Sequence, residues 1–133
     1  MKKILLAYDG SEAADSALQQ TIDLAKAFKA EVGVVSVVPV HAGRIGIDPW
    51  DDRPVHDDQL REARTVFSKE GIEPRLHEPF GEKAPSIERV AEEGGYDTIV
   101  IGSRGLGAIG RLLEGSVSEH VATHARTNVV IAR

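Results

Sequence analysis

The stretch KILLAYDGSEAADSALQQTIDLAKAF, residues 3–28, contains a strand, a turn and a helix in succession, and it decides the fold class. Residues 3–8 form a short apolar run, which is typical of a strand covered on both faces. After the turn, residues recur at helical spacing, and Ser11 is placed to cap the helix start. The residues at this spacing are Ala14, Ala17, Leu18, Thr21, Ile22, Ala25 and Phe28.

The rest of the chain repeats this alternation. Four more short runs predict strands at residues 31–38, 73–79, 98–101 and 128–132. Helical periodicity fills the spaces between them. It predicts a second helix capped by Asp57 and ending near Gly71, a third over about 86–93 and a last one over about 116–126. The apolar positions predicted for the second helix are Leu60, Ala63 and Phe67. Regular alternation of strand and helix predicts an α/β fold, a single doubly wound sandwich with helices on both faces of a parallel sheet.

Composition limits the protein class. The 133 residues suit one domain, residues 1–133, and the absence of cysteine excludes disulfides and cysteine-ligated metals. The apolar runs are far shorter than the ~20 residues that span a bilayer, and no signal-peptide pattern opens the chain, so we expect a cytoplasmic protein without a membrane segment. A net charge of -5 argues against a nucleic-acid partner.

The turn after the first strand carries a carboxylate, Asp9. Ligands of such folds bind beyond the carboxyl ends of the strands, and a carboxylate there repels phosphate but accepts hydrogen bonds from ribose hydroxyls. Ala7, which precedes this turn, belongs to the same predicted site. At the end of the second predicted strand, the backbone of Val37 is placed to meet an adenine edge.

A glycine-rich segment follows the fourth strand, in the stretch IGSRGLGAIGRLLEGSVSEH, residues 101–120. Glycine lets a backbone approach a bulky ligand, and a helix N-terminus favours phosphate. We therefore predict a polyphosphate cradle with two walls, the turn from Gly102 to Gly105 and the helix start at Gly115, Ser116 and Val117. The spacing is not that of a Walker loop. The predicted cradle residues are Ile101, Gly102, Arg104, Gly105, Gly115, Ser116, Val117 and Ser118.

Together these motifs resemble those of the universal stress protein family, over nearly the whole chain. The pattern Gly102-x2-Gly105-x9-Gly115-Ser116 is similar to the family's ATP-binding signature, and Tyr8-Asp9-Gly10-Ser11 is similar to its first-strand motif. The resemblance implies a five-stranded sheet of order 3-2-1-4-5, bound ATP and a homodimer formed through the last strand. It also implies that Asp9 holds the ribose, Val37 the adenine and the glycine segment the phosphates. Asn128, where many members have proline, departs from the family pattern.

Three other functions are alternatives for a chain with this alternation of strands and helices. A phosphoacceptor receiver domain requires an aspartate after the third strand and a lysine after the fifth, and this sequence has neither. Slow ATP hydrolysis with Mg²⁺, or transfer to Ser116 or Ser118, would need a base, and His120 is the nearest candidate along the helix. A family member acting as a non-nucleotide interaction module should have lost the glycines. We expect no catalytic residue and no protein-bound metal, and predict an ATP-binding regulatory protein of the stress response that acts as a nucleotide-dependent switch.

One long segment has no assigned role. Residues 39–56 form the only long irregular stretch, and its Trp50 either covers a ligand or anchors the loop.

Overall fold

The chain alternates strands and helices. The computed structural model describes residues 1–38, 53–103, 117, 120–122 and 125–132, and of residues 53–56 it describes the backbone alone. Val117 and residues 120–122 are helical. The strands are Lys3–Ala7 (β1), Glu31–Val35 (β2), Arg75–His77 (β3), Thr98–Gly102 (β4) and Asn128–Ala132 (β5), and the helices are Glu12–Phe28 (α1), Arg53–Lys69 (α2) and Lys83–Glu93 (α3). The predicted α/β class is confirmed.

All five strands are parallel and form one sheet in the order β3-β2-β1-β4-β5. This is the order that the family resemblance implied. From β1, the chain adds β2 and then β3 on one side, and it then adds β4 and β5 on the other side. The order therefore reverses between β1 and β4, where ligands bind in such sheets.

Side chains of the central strands alternate between two cores. Ile4 and Leu6 point into the core covered by α1 and α2, whereas Leu5 and Ala7 point into the core covered by α3 and by Val121. All four are at most 2% exposed, as expected for a strand covered on both faces.

Helix α1 has the predicted cap. The hydroxyl oxygen of Ser11 accepts a hydrogen bond from the Ala14 N–H at 3.1 Å, which satisfies one of the unpaired donors of the first turn. Phe28, which continues the helical spacing of the apolar stripe, is the last residue of the helix and is 54% exposed. Helical spacing placed it on the buried face, but the sheet does not extend far enough to cover it.

Helix α2 begins earlier than predicted. Its first residue is Arg53, so Asp57 lies inside the helix and does not cap it. Pro54 falls in the first turn, where the missing N–H has no helical partner to lose, and this signal for a helix start was overlooked. The predicted apolar stripe of Leu60, Ala63 and Phe67 is confirmed as buried. Residues 39–52, including Trp50, lie outside the described residues.

Tyr96 lies at the amino-terminal edge of the sheet, two residues before β4, and its ring packs directly over Gly33 in the middle of β2. A Cβ added to Gly33 would lie 2.1 Å from the Tyr96 hydroxyl oxygen, so only glycine fits beneath this ring. The hydroxyl is 2.7 Å from Nε2 of His77, and the Lys3 ammonium lies 4.9 Å from the ring centroid. These contacts tie β1, β2 and β3 to Tyr96, two residues before β4.

Asp97 joins β1 to β4 at the same edge. Its Oδ2 accepts hydrogen bonds from the N–H groups of Lys2 and Lys3 at 2.7 and 3.1 Å, and its Oδ1 accepts one from the Thr98 hydroxyl at 2.8 Å. Burial acts to raise the pKa of Asp97, but these hydrogen bonds outweigh burial and hold the pKa below its ordinary value of 3.8. The carboxylate is therefore a fixed, ionised part of the fold.

Within the described part of the chain, no helix has both the length and the apolar character needed to cross a bilayer.

Candidate functional site

The two predicted motifs meet at the carboxyl-terminal edge of the sheet, although more than ninety residues separate them in the sequence. Ala7 at the end of β1 pairs with Ile101 of β4, and both side chains are buried. Asp9 follows Ala7 by two residues, and Gly102 follows Ile101 directly. The parallel pairing therefore brings the start of the glycine segment beside the aspartate turn.

Asp9 is held in its turn by one of its two carboxylate oxygens. Oδ1 accepts a hydrogen bond from the Ser11 N–H at 2.9 Å, and Gly10 between them has φ +78°, a conformation that favours glycine. No described residue donates a hydrogen bond to the other oxygen, Oδ2. Asp9 thus has a fixed position and one oxygen that can accept hydrogen bonds from ligand hydroxyls.

Carboxylates dominate the first turn of α1, next to Asp9. Glu12 and Asp15 both lie in this turn, and the Tyr8 hydroxyl donates a hydrogen bond of 2.9 Å to Asp15. Burial, together with this hydrogen bond, raises the pKa of Tyr8, so the phenol stays protonated. Three carboxylates around one turn repel phosphate and suit an uncharged, hydroxyl-bearing part of a ligand.

Gly102 packs against helix α1. A Cβ at this position would lie 2.8 Å from the backbone oxygen of Ala13, so any other residue would push helix and strand apart. The next residue, Ser103, donates its N–H to the Ala132 oxygen at 2.8 Å and so extends the pairing with β5. The sequence pattern attributed this glycine to ligand clearance, and the structure shows that close packing of helix and strand also requires it.

The backbone of Val37 is available on the side that faces β1. Its neighbours Ser36 and Val38 donate their N–H groups to the oxygens of His77 and Pro79, on the β3 side. Among the described residues, no backbone group bonds to the Val37 N–H or C=O. The Val37 side chain is 6% exposed and belongs to the core, so only its backbone could meet a base edge.

Part of the predicted cradle lies outside the described residues: Arg104, Gly105, Gly115, Ser116 and Ser118. Val117 is partly buried against the core on the α3 face of the sheet. On the same helical stretch, His120 Nδ1 is 3.1 Å from Oε1 of Glu88, which gives this histidine a partner on α3.

Sequence reasoning missed Gln59. A Cβ on Gly10 would lie 3.2 Å from its Nε2, so the amide lies against the aspartate turn. Gln59 precedes the buried Ala63 by one helical turn, in line with the apolar stripe of α2. A polar residue in line with a buried stripe was the signal that could have revealed it.

Comparison with known sequences covers the whole chain. The sequence profile described as the universal stress protein family matches residues 1–133. A protein of Staphylococcus haemolyticus named as a universal stress protein is 32% identical over a gapped alignment of 148 positions, which covers 99% of this chain and 84% of that protein.

Comparison with solved structures gives the same family. A universal stress protein of Archaeoglobus fulgidus, solved in complex with dAMP, has a TM-score of 0.76 and 26% identity, covering 100% of this chain and 98% of that one. A family protein of Burkholderia pseudomallei has a TM-score of 0.75 and 27% identity, with 98% and 94% covered. Fold, motifs and relatives agree, and the chain belongs to the universal stress protein family.

Proposed function

We propose that this protein binds ATP at the carboxyl-terminal edge of the sheet and acts as a nucleotide-dependent regulatory protein of the stress response in the cytoplasm. The observation that carries the proposal is the pairing of β1 with β4, which sets the Asp9 turn beside Gly102. In this arrangement Asp9 binds the ribose, the Val37 backbone meets the adenine, and the glycine segment from Gly102 to Ser118 holds the phosphates.

The chemistry of the two motifs divides the ligand in this way. The acidic turn around Asp9 disfavours phosphate, so in this proposal the phosphates point toward the glycine segment, whose sequence carries Arg104 and leads into the predicted last helix. Mg²⁺ enters with the phosphates, as is usual at nucleotide sites. The dAMP complex of the Archaeoglobus fulgidus relative supports an adenine nucleotide as the ligand class.

Regulation follows if a partner distinguishes the loaded protein from the empty one. The acidic turn and Gly102 lie side by side at the proposed site, so a bound nucleotide would change the charge and the shape of this edge. The proposed output is a change in partner affinity.

Titration calorimetry with ATP and Mg²⁺ tests the proposal. We expect saturable heat for the wild type. A Gly115→Leu variant should lose this heat, because the leucine side chain would occupy the space proposed for the phosphates. Gly95→Asn is the matched control: Gly95 lies at the opposite edge with φ +70°, which asparagine tolerates, and no atom lies within 4 Å of an added Cβ. Absence of saturable heat for the wild type at millimolar ATP would refute the proposal.

We also propose a homodimer formed through β5. This strand is at the end of the sheet, and its Ile131 is 40% exposed, so an apolar edge is open to pairing. Light scattering should give twice the monomer mass at micromolar concentration, and Ile131→Lys should shift the mass toward the monomer. A monomeric wild type would contradict this proposal.

A further inference from the structure

A buried polar atom without a partner lies next to the candidate site. The side-chain oxygen Oε1 of Gln59 is buried and accepts no hydrogen bond from any described residue. Folded proteins pair nearly all such oxygens, because an unpaired one destabilises the fold. An apolar side chain of similar size at position 59 would remove this destabilisation, so the glutamine calls for an explanation other than packing.

The side chain of Gln59 reaches the turn that carries Asp9. An added Cβ on Gly10 would be 3.2 Å from Nε2 and 3.3 Å from Cγ of Gln59. Gly10 in turn separates Asp9 from Ser11, whose N–H fixes the carboxylate. The unpaired amide oxygen therefore belongs to a side chain packed on the turn that we assign to the ribose.

Apolar core residues lie beside Gln59 on α2. Leu60 is 5% exposed, and Ala63, one helical turn after Gln59, is fully buried. Both belong to the core between α1, α2 and the sheet. A polar side chain at position 59 thus contributes nothing that this core requires.

We infer that Gln59 is a binding residue of the nucleotide site and that its amide oxygen accepts a hydrogen bond from a ribose hydroxyl. This inference rests on the proposed function. The oxygen is shielded from solvent, so the amide must turn on its flexible side chain to meet the ligand. Because Oε1 accepts no hydrogen bond in the free protein, the rotation breaks none at this atom. Ligand binding would then supply the hydrogen bond that Oε1 lacks.

The test compares ATP with 2′,3′-dideoxy-ATP, which lacks both ribose hydroxyls, by calorimetry on wild type and Gln59→Leu. We expect the substitution to weaken ATP binding about fivefold to tenfold, the worth of one hydrogen bond, and to leave dideoxy-ATP binding unchanged. The melting temperature should be unchanged or higher. Gln59→Met repeats the test with a side chain closer to glutamine in length, and Gln19→Leu is the control at an exposed glutamine of α1.

Equal losses for the two nucleotides would show that Gln59 only packs against the turn, and an unchanged affinity for ATP would remove it from the site. Either result overturns the inference and leaves the proposed function standing. A wild type that binds neither nucleotide refutes the proposed function, and the inference with it.

Discussion

The two edges of the sheet use the same residue types in opposite ways. At the amino-terminal edge, both oxygens of Asp97 accept hydrogen bonds from the protein. At the carboxyl-terminal edge, Asp9 accepts one such bond through Oδ1, and Oδ2 has no donor among the described residues. A carboxylate that the fold satisfies fully stabilises the fold, whereas one that it satisfies in part is available to a ligand.

The glycines show a similar division. Gly33 makes room for the buried ring of Tyr96, which belongs to the fold alone. Gly102 makes room for the backbone of Ala13, and so sets how closely the first helix approaches the proposed site. Changes at the amino-terminal edge should therefore alter stability alone, and changes at the carboxyl-terminal edge should also alter ligand affinity.

The largest effect is expected for Gly33→Ala. The new Cβ would occupy the place of the Tyr96 ring, so the ring must leave its site, and the free energy of unfolding should fall by about 3 kcal/mol. Urea denaturation measures this loss, while the ATP affinity of the folded protein should stay the same. The cost should shrink in a Tyr96→Leu background, because the clashing ring is gone. A full cost in that background would show that Tyr96 is not the cause.

Gly102→Ala should have a somewhat smaller effect on stability but a second effect on binding. Its Cβ would press on the Ala13 backbone, and displacing the helix should lower the free energy of unfolding by about 2 kcal/mol. Because the Asp9 turn leads directly into this helix, the ATP affinity should fall as well. Unchanged calorimetric affinity in the folded variant would mean that helix placement at this edge does not matter for the ligand.

A smaller effect is expected for Asp97→Asn. Losing the charge weakens three hydrogen bonds and should cost about 1 kcal/mol of unfolding free energy at pH 7. Since the pKa of Asp97 is lower in the folded protein than its ordinary 3.8, its contribution is present above that value and is lost as the pH falls through and below it. The stability difference between wild type and variant, measured by urea denaturation, should therefore narrow in acid. A difference that is constant with pH would contradict this role.

The sequence predicted the fold class well because periodicity reports burial. Both faces of the central strands are covered, so they appear as unbroken apolar runs, and the helices show their buried stripes. The start of α2 was wrong because Asp57 has the chemistry of a cap, while Pro54, a weaker signal, marked the true start. Spacing does not report the exposure of Phe28, because it assigns a face to a residue but does not say where the sheet ends.

The candidate site could be predicted only in its local motifs. The turn around Asp9 and the glycine segment are visible as short patterns, and the β1–β4 pairing places the Asp9 turn beside Gly102. The packing of Gly102 on Ala13 and of Gln59 on Gly10 joins residues from different elements, and no local pattern reports such contacts. Sequence reasoning could therefore name the carboxylate that we propose for the ribose but not the Gln59 amide packed on its turn.

The most direct test of the account is ATP titration of two matched variants, Asp9→Asn and Asp97→Asn, by calorimetry. Each replaces one carboxylate that accepts backbone hydrogen bonds, at opposite edges of the same sheet. We predict that Asp9→Asn weakens ATP binding by about tenfold or more, because charged hydrogen bonds to the ribose are lost, while Asp97→Asn stays within about twofold of the wild type. Equal affinities for Asp9→Asn and wild type, or equal losses in both variants, would contradict the claim that the carboxyl-terminal edge is the nucleotide site.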